Sequence, residues 1–320
     1  IINICLIIWI VISGIVNRTS PLLVLNYFSY ALIPILIYLL VKLISKNMFK
    51  TRYLINILVI FQLPVLCFQF FFPDYILYSH KPVSYLDRLF GTFPLAGDHA
   101  LSFFLIMNII FLFESKNKFS VFNYIIICSS IISILLMNSL ISHFLLLFVF
   151  LYFIFKKVNY LIFIPFIVFF FSFLLYLVSS FDIMTLLGKG SVTGIIDNAS
   201  LFESGTAGRF QSIYYLFTKE LLFFGNGPGS YFNPFDGGFQ GNVNFSQFIW
   251  FYFDLGIVGL ILLCLLIFTY LSLFKINNYL KLVLAVLVFS YSFFSNTLDS
   301  IVFCLTLNIF AFLIQKNQKV

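Results

Sequence analysis

The sequence predicts an all-α, polytopic integral membrane protein of about ten transmembrane helices, with a large extracytoplasmic loop that carries a short amphipathic helix. Three observations lead there. Only 9% of the residues are charged and 62% are hydrophobic, whereas a soluble domain carries about 25% charged residues and needs them to cover itself. The apolar runs are long and repeated, and the mean hydropathy is +1.09. Runs such as FIPFIVFFFSFLLYLV do not alternate apolar with polar residues, so a membrane β-barrel is excluded and helices are left.

Ten spans are read, at 1–16, 22–41, 53–72, 95–113, 119–137, 140–155, 158–181, 248–274, 279–294 and 301–314. Several are shorter than the ~20 residues a full crossing takes. The whole of 1–320 forms a single polytopic domain. The sequence begins at Ile1 rather than Met, which predicts an N-terminal piece outside it.

Lys and Arg fall on alternating sides of these spans. One side holds Lys42, Lys46, Lys50, Arg52, Lys116, Lys118, Lys156, Lys157, Lys275, Lys281, Lys316 and Lys319. The other holds half as many: Arg18, Lys81, Arg88, Lys189, Arg209 and Lys219. Enrichment of basic residues in cytoplasmic loops puts the larger set inside and both ends of this chain in the cytoplasm. The net charge of +7 therefore reports topology and does not point to nucleic acid. Cys5, Cys67, Cys128, Cys264 and Cys304 stand singly in apolar runs, without CxxC spacing, and the chain has three histidines. No metal or other cofactor is expected from that pattern. The inner loops are short and lack a nucleotide-binding motif.

Two longer loops, 73–94 and 182–247, fall outside the membrane, and function concentrates in such loops. Within the larger one, Thr206 is a good helix N-cap. Phe210, Ile213, Tyr214, Phe217 and Leu221 then recur at helical spacing, and Gly225 is a plausible C-cap. Arg209 lies in the first turn, the unfavourable end for a cation, unless an anion binds there too. Two readings stay open: an anion site, or a cation meeting lipid headgroups or Glu203. GNGPGS (225–230) lacks the Lys-Ser/Thr and the following helix of a phosphate loop, so Gly225 and Gly227 are read as parts of a tight turn. Asn244, Ser246 and Asp254 precede or open the next span, either as site residues or as helix caps.

In the stretch YLDRLFGTFPLAGDHALSFF (85–104), Asp98 and His99 stand at the start of the fourth span. His99 is a candidate base. Adjacent residues on a helix do not face each other, which speaks against a direct Asp98–His99 dyad. An interfacial hydrogen-bonding role for the histidine is the alternative.

Three pieces resemble the superfamily of bacterial O-antigen and capsule polymerases (Wzy-type) and O-antigen ligases. They are R-x-x-G-x-F at Arg88, Gly91 and Phe93; Gly208–Arg209 followed by FFGNGPGSYF; and Ser246 leading to DLGIVGLIL. They occur in the family's order over about residues 85–265. The resemblance implies glycosyl transfer at the outer face of the bacterial cytoplasmic (inner) membrane, from a polyprenyl-pyrophosphate-linked oligosaccharide, without a metal. It implies that Arg88 and Arg209 bind the pyrophosphate, with membrane lipid, a chain-length regulator and a flippase as partners. Such a leaving group needs charge stabilisation rather than a general acid. The remaining requirement is a base for the acceptor hydroxyl, with His99, Asp98, Glu203 and Asp236 as candidates. Ligases of the superfamily tend to have a histidine in the large external loop, and 182–247 has none; that favours a polymerase over a ligase. A non-enzymatic flippase or transporter is the rival of a different class. It is disfavoured because no ionisable residue lies at the centre of a span.

Overall fold

The computed structural model describes residues 1–44, 48–72, 77–78, 81–82, 89–93, 98–115, 120–137, 139–156, 222–230, 246–295 and 297–319. These residues are helical apart from turns and one two-residue antiparallel ladder, in which Leu77 pairs with Pro82 and Tyr78 with Lys81. The helices are α1 (Ile2–Val16), α2 (Pro21–Ile44), α3 (Met48–Phe71), α4 (Asp98–Glu114), α5 (Val121–Leu136), α6 (Leu140–Phe155), α7 (Gln247–Ser272), α8 (Asn278–Phe294) and α9 (Ile301–Lys319). Each coincides with one of the spans read from the sequence. The span read at 158–181 and the amphipathic helix read at 206–221 lie outside the described residues.

Length sorts the helices. Pro21–Ile44, Thr51–Phe71 and Gln247–Ser272 are long and apolar enough to cross a membrane, while the other six are apolar but shorter. At 1.5 Å per residue, a hydrocarbon core of ~30 Å asks for about 20 residues. Among the described residues the fold is thus helical and compatible with a membrane protein, with three helices that meet the length unaided. Large apolar side chains stand exposed along them, among them Leu36, Leu43, Phe61, Phe71, Ile261 and Phe268. Lipid is the medium in which such a surface costs nothing.

Local signals set several helix ends. The Ser120 hydroxyl accepts the Asn123 N–H at 3.3 Å to open α5, and Asn277 Oδ1 accepts the Leu280 N–H at 2.7 Å to open α8. Pro34 and Pro64 lie inside α2 and α3, a placement that membrane helices tolerate.

The chain divides into two compact units, residues 1–28 with 154–265 and residues 29–153 with 266–320. In the second unit α4 is central, touched by α5, α8 and α9, while α3 packs on α5. Every residue from Leu101 to Leu112 is buried. Phe103 stacks on Phe303 with ring centroids 3.8 Å apart, and Phe104 meets Phe310 at 5.6 Å. Interlocking of this kind, not expulsion of water, holds helices together in lipid. In the first unit α1, the start of α2, the turn 222–230 and the first part of α7 pack on one another, as their hydrogen bonds show.

Candidate functional site

The helix that follows the large loop is broken. Gly256, inside α7, has φ +69° and ψ −169°, which interrupts the i→i−4 ladder and frees backbone groups on either side. A freed backbone group inside a membrane protein must find a partner. Here the partners are specific. Asn226 N–H donates to Phe253 O at 2.9 Å, and Gly227 N–H donates to Asp254 O at 2.9 Å. Trp9 Nε1 donates to Leu255 O at 2.9 Å. The Ile257 N–H donates to Leu222 O at 2.9 Å. The Ser13 hydroxyl reaches both Phe224 O, at 3.0 Å, and Asp254 O, at 3.3 Å. Glycine is required at the break because a Cβ at Gly256 would run into Phe223 O, and one at Gly225 into the Asp254 carbonyl.

Asp254 lies one residue ahead of Leu255 and is fully buried. Its Oδ2 accepts the Tyr27 hydroxyl and the Gly229 N–H, the latter at 2.8 Å, while Oδ1 accepts the Ser230 hydroxyl at 3.0 Å. A buried carboxylate is retained only with such donors around it. The carboxylate therefore ties the turn 225–230 to α7 and caps that turn, not its own helix. Gly225, Gly227 and Gly229 have φ of 71°, 97° and 80°, and Ser230 Oγ closes the turn on Gly227 O at 2.7 Å. The N–H groups of Asn226, Gly227 and Gly229 are all directed at α7. GNGPGS is a turn in which the N–H groups of Asn226, Gly227, Gly229 and Ser230 are taken by acceptors of the chain, so these four are not open to a phosphate.

In the second unit the R-x-x-G-x-F segment has an equally specific seat. Gln69 brackets Gly91, donating from Nε2 to Gly91 O at 2.9 Å and accepting the Gly91 N–H on Oε1 at 2.8 Å. Gln62 treats Thr92 the same way, through Nε2 to Thr92 Oγ1 at 2.7 Å and Oε1 from Thr92 N–H at 2.9 Å. Gly91 has φ +60°, and a Cβ there would meet Gln62 Oε1. Leu89 to Phe93 therefore return along α3 to Gln62, in the middle of the apolar run read at 53–72. Two neutral amides let non-helical backbone lie at that position against the apolar α3. Phe93, with Leu58, Gln62, Thr92, Phe104 and Val302, lines an open cavity of about 230 Å³.

His99 is half-buried in the first turn of α4. Its Nδ1 lies 3.4 Å from Ser139 Oγ, and its ring meets the Tyr291 ring edge-on with centroids 6.1 Å apart. Ser142 bridges Ser139 at 2.9 Å and Ser102 at 2.8 Å, and Ser102 meets the Tyr291 hydroxyl at 2.8 Å. His143 is engaged differently, with Nε2 3.0 Å from Ile134 O.

The site residues expected from sequence distribute as follows. Arg88, Arg209, Glu203 and Asn244 lie outside the described residues, as does Asp236. Asp98 is the first residue of α4. Ser246 is fully buried just ahead of α7, and its hydroxyl has no hydrogen-bond partner among the described residues. Gly225, Gly227 and Asp254 are brought together at one point. Sequence reasoning missed Tyr27, Trp9, Ser13 and the break at Gly256, which lie hundreds of positions from their partners or look like ordinary span residues. It also missed Gln62 and Gln69. Those two carried a usable signal, since neutral polar residues seven apart in an apolar run share a helix face.

Comparison with known proteins finds no matching family model, no similar curated protein and no similar solved structure.

Proposed function

We propose that the chain is a metal-independent membrane glycosyltransferase, a polysaccharide polymerase that joins polyprenyl-pyrophosphate-linked oligosaccharide repeats at the outer face of the bacterial cytoplasmic membrane. The observation that supports this most is the interlock at Gly256. Two of the three segments that resemble the polymerase and ligase superfamily, FFGNGPGSYF and DLGIVGLIL, meet backbone to backbone at Gly227–Asp254, flanked by Asn226–Phe253 and Ile257–Leu222, in each of which one partner lies just outside its segment. Segments that share a resemblance and also share a joint have a physical reason to occur together. The third segment has its own anchorage at Gln62 and Gln69.

In this reading Arg88 and Arg209 hold the donor's diphosphate. Their guanidiniums stabilise the charge that develops as the bond from the sugar C1 to the diphosphate oxygen breaks. A base takes the proton of the acceptor hydroxyl as the new C1–O bond forms, and His99 is the candidate for that role. Asp98 and Glu203 are the alternative bases.

A broken helix is a feature transporters share, and there its freed backbone groups coordinate cargo. At Gly256 the freed groups of Phe253, Asp254, Leu255 and Ile257 are instead bound by Asn226, Gly227, Ser13, Trp9 and Leu222. That favours an enzyme scaffold over a transport site.

The test is substitution of Arg88 and Arg209 by Ala, singly, in cells that make the glycan, with glycan chain length read on a gel. Each variant is expected to lose long polymer by about 100-fold or more while single repeats remain attached to their acceptor. Loss of all attached glycan would indicate a ligase. Long polymer in both variants at normal membrane levels would overturn the assignment.

A further inference from the structure

Helix α3 buries three side-chain amides, those of Asn56, Gln62 and Gln69. Gln62 and Gln69 hold Thr92 and Gly91; Asn56 has no such task. Two contacts show what stands opposite it in the second unit. The Arg52 guanidinium lies over the Phe111 ring, 5.5 Å from its centroid. Farther along α3, Leu58 and Gln62 line one cavity with Phe104 of α4. Residue numbers rise on α3 as they fall on α4, so the two helices run antiparallel along this seam. Asn56 lies between the two contacts on α3, four residues after Arg52 and on the same face. Asn108 lies between them on α4, four residues after Phe104 and three before Phe111, which again share a face. The contacts on either side therefore bring Asn56 and Asn108 to one level of the seam.

Asn108 has no exposed surface and Asn56 is 4% exposed. Among the described residues, Asn108 Nδ2, Asn108 Oδ1 and Asn56 Oδ1 have no hydrogen-bond partner. That is one donor group and two acceptors, desolvated between apolar helices, where each polar group needs a partner. We propose that Asn56 and Asn108 form a binding site for a single water molecule in the α3–α4 seam. The donor set selects this ligand. The two water protons go to the two amide oxygens, and a water lone pair accepts from Asn108 Nδ2. That makes about three hydrogen bonds, the usual number for a buried water. A metal cation would take the two oxygens but give the Nδ2 protons no acceptor, and Arg52 one turn away would repel it. An anion would take Nδ2 and be repelled by both oxygens. Water is also small enough for a place where Asn108 has no exposed surface.

The experiment is radiolytic hydroxyl labelling of the full chain in detergent, read residue by residue by mass spectrometry. Radicals form from water where it stands, so a buried ring beside a bound water is marked faster than its burial allows. Phe111, 1% exposed, reports on the site, and Phe148, fully buried on α6, is the control. Wild-type Phe111 is expected to be labelled several-fold faster than Phe148. Asn56→Leu and Asn108→Leu are each expected to lower Phe111 to the Phe148 rate. Equal labelling of the two rings in wild type overturns the proposal, and that comparison requires no variant to fold. Undiminished Phe111 labelling in both leucine variants overturns it as well. A density map of the full chain that resolves waters gives the direct reading. A peak between the two amides is expected, and amides bonded to each other without one would refute the site. The water site does not depend on Arg88 or Arg209, so its failure leaves the polymerase reading standing, and failure of that reading leaves the water site in place.

Discussion

The Tyr27 hydroxyl donates to the Asp254 carboxylate across 227 positions of sequence, inside a pocket where the carboxylate has no exposed surface. The same carboxylate holds Gly229 N–H and Ser230 Oγ, so one side chain joins the start of α2, the glycine-rich turn and α7. Removing the phenol leaves a buried charge one donor short. Tyr27→Phe is expected to cost about 1.5–3 kcal/mol, the range for a hydrogen bond to a charged group. Asp254→Ala, which takes the acceptor from both the Tyr27 hydroxyl and the Gly229 N–H, is expected to cost more. Thermal unfolding in detergent, followed by tryptophan fluorescence, should rank the two in that order; equal melting temperatures for wild type and Asp254→Ala would refute the joint.

The break in α7 makes its own prediction. Gly256→Ala forces a side chain into a positive-φ conformation against Phe223 O, one that glycine adopts almost alone and that costs an L-residue roughly 1–3 kcal/mol before the clash is added. Ile261→Ala, at an exposed position of the same span, introduces neither the strained φ nor a clash. A fluorescent-protein fusion run on a sizing column should show loss of the monodisperse peak for Gly256→Ala well before Ile261→Ala.

Gln69 offers a sharper substitution because both of its amide atoms are used. Gln69→Glu keeps the acceptor for Gly91 N–H and loses the donor to Gly91 O, while adding a charge within an apolar helix pair. Gln69→Leu loses both bonds and leaves two buried backbone groups unpaired, at about 1–3 kcal/mol each. Both variants are expected to melt below wild type, and to reduce polymer in cells at equal expression. Retention of wild-type stability in Gln69→Leu would show that the Gly91 segment does not need this seat.

Sidedness can be read with single cysteines in a cysteine-free background. Asn226 and Lys275 are both exposed, and the charge distribution puts the first outside and the second inside. Asn226→Cys is expected to react with a membrane-impermeant maleimide on intact cells. Lys275→Cys is expected to react only after the membrane is opened. The reverse pattern would invert the topology and with it the outer-face location of the proposed reaction.

The helices were legible in the sequence and most of the joints between them were not. Hydrophobic runs marked α1 to α9 to within a few residues, because in such a chain the run is the helix. Whether a run is a full crossing is less legible, as the shorter α1, α4 and α8 show. The candidate site residues divide by the reach of the signal. Gly225, Gly227 and Asp254 stood out locally, as glycines in a turn and a carboxylate in an apolar stretch, and the fold brings them together. Their partners Trp9, Ser13 and Tyr27 are common residue types hundreds of positions away, and nothing in their neighbourhood says what they will bond. Gly256 is read easily as a motif glycine and less easily as a break, since a single glycine in a membrane helix is usually straight. His99 was legible as a candidate base, yet the hydroxyls beside it, Ser139, Ser142 and Ser102, were not, because they meet only through geometry between helices.

The interrupted backbone at Gly256 also carries information about time. A newly made apolar segment enters the bilayer alone and meets lipid before it meets its neighbours, and an isolated segment with open carbonyls would be expelled or would straighten. The 247–272 segment therefore has reason to insert as an ordinary continuous rod. On the membrane reading the bend is expected to form late, when Trp9, Ser13 and the 222–230 turn are in place to receive the released groups.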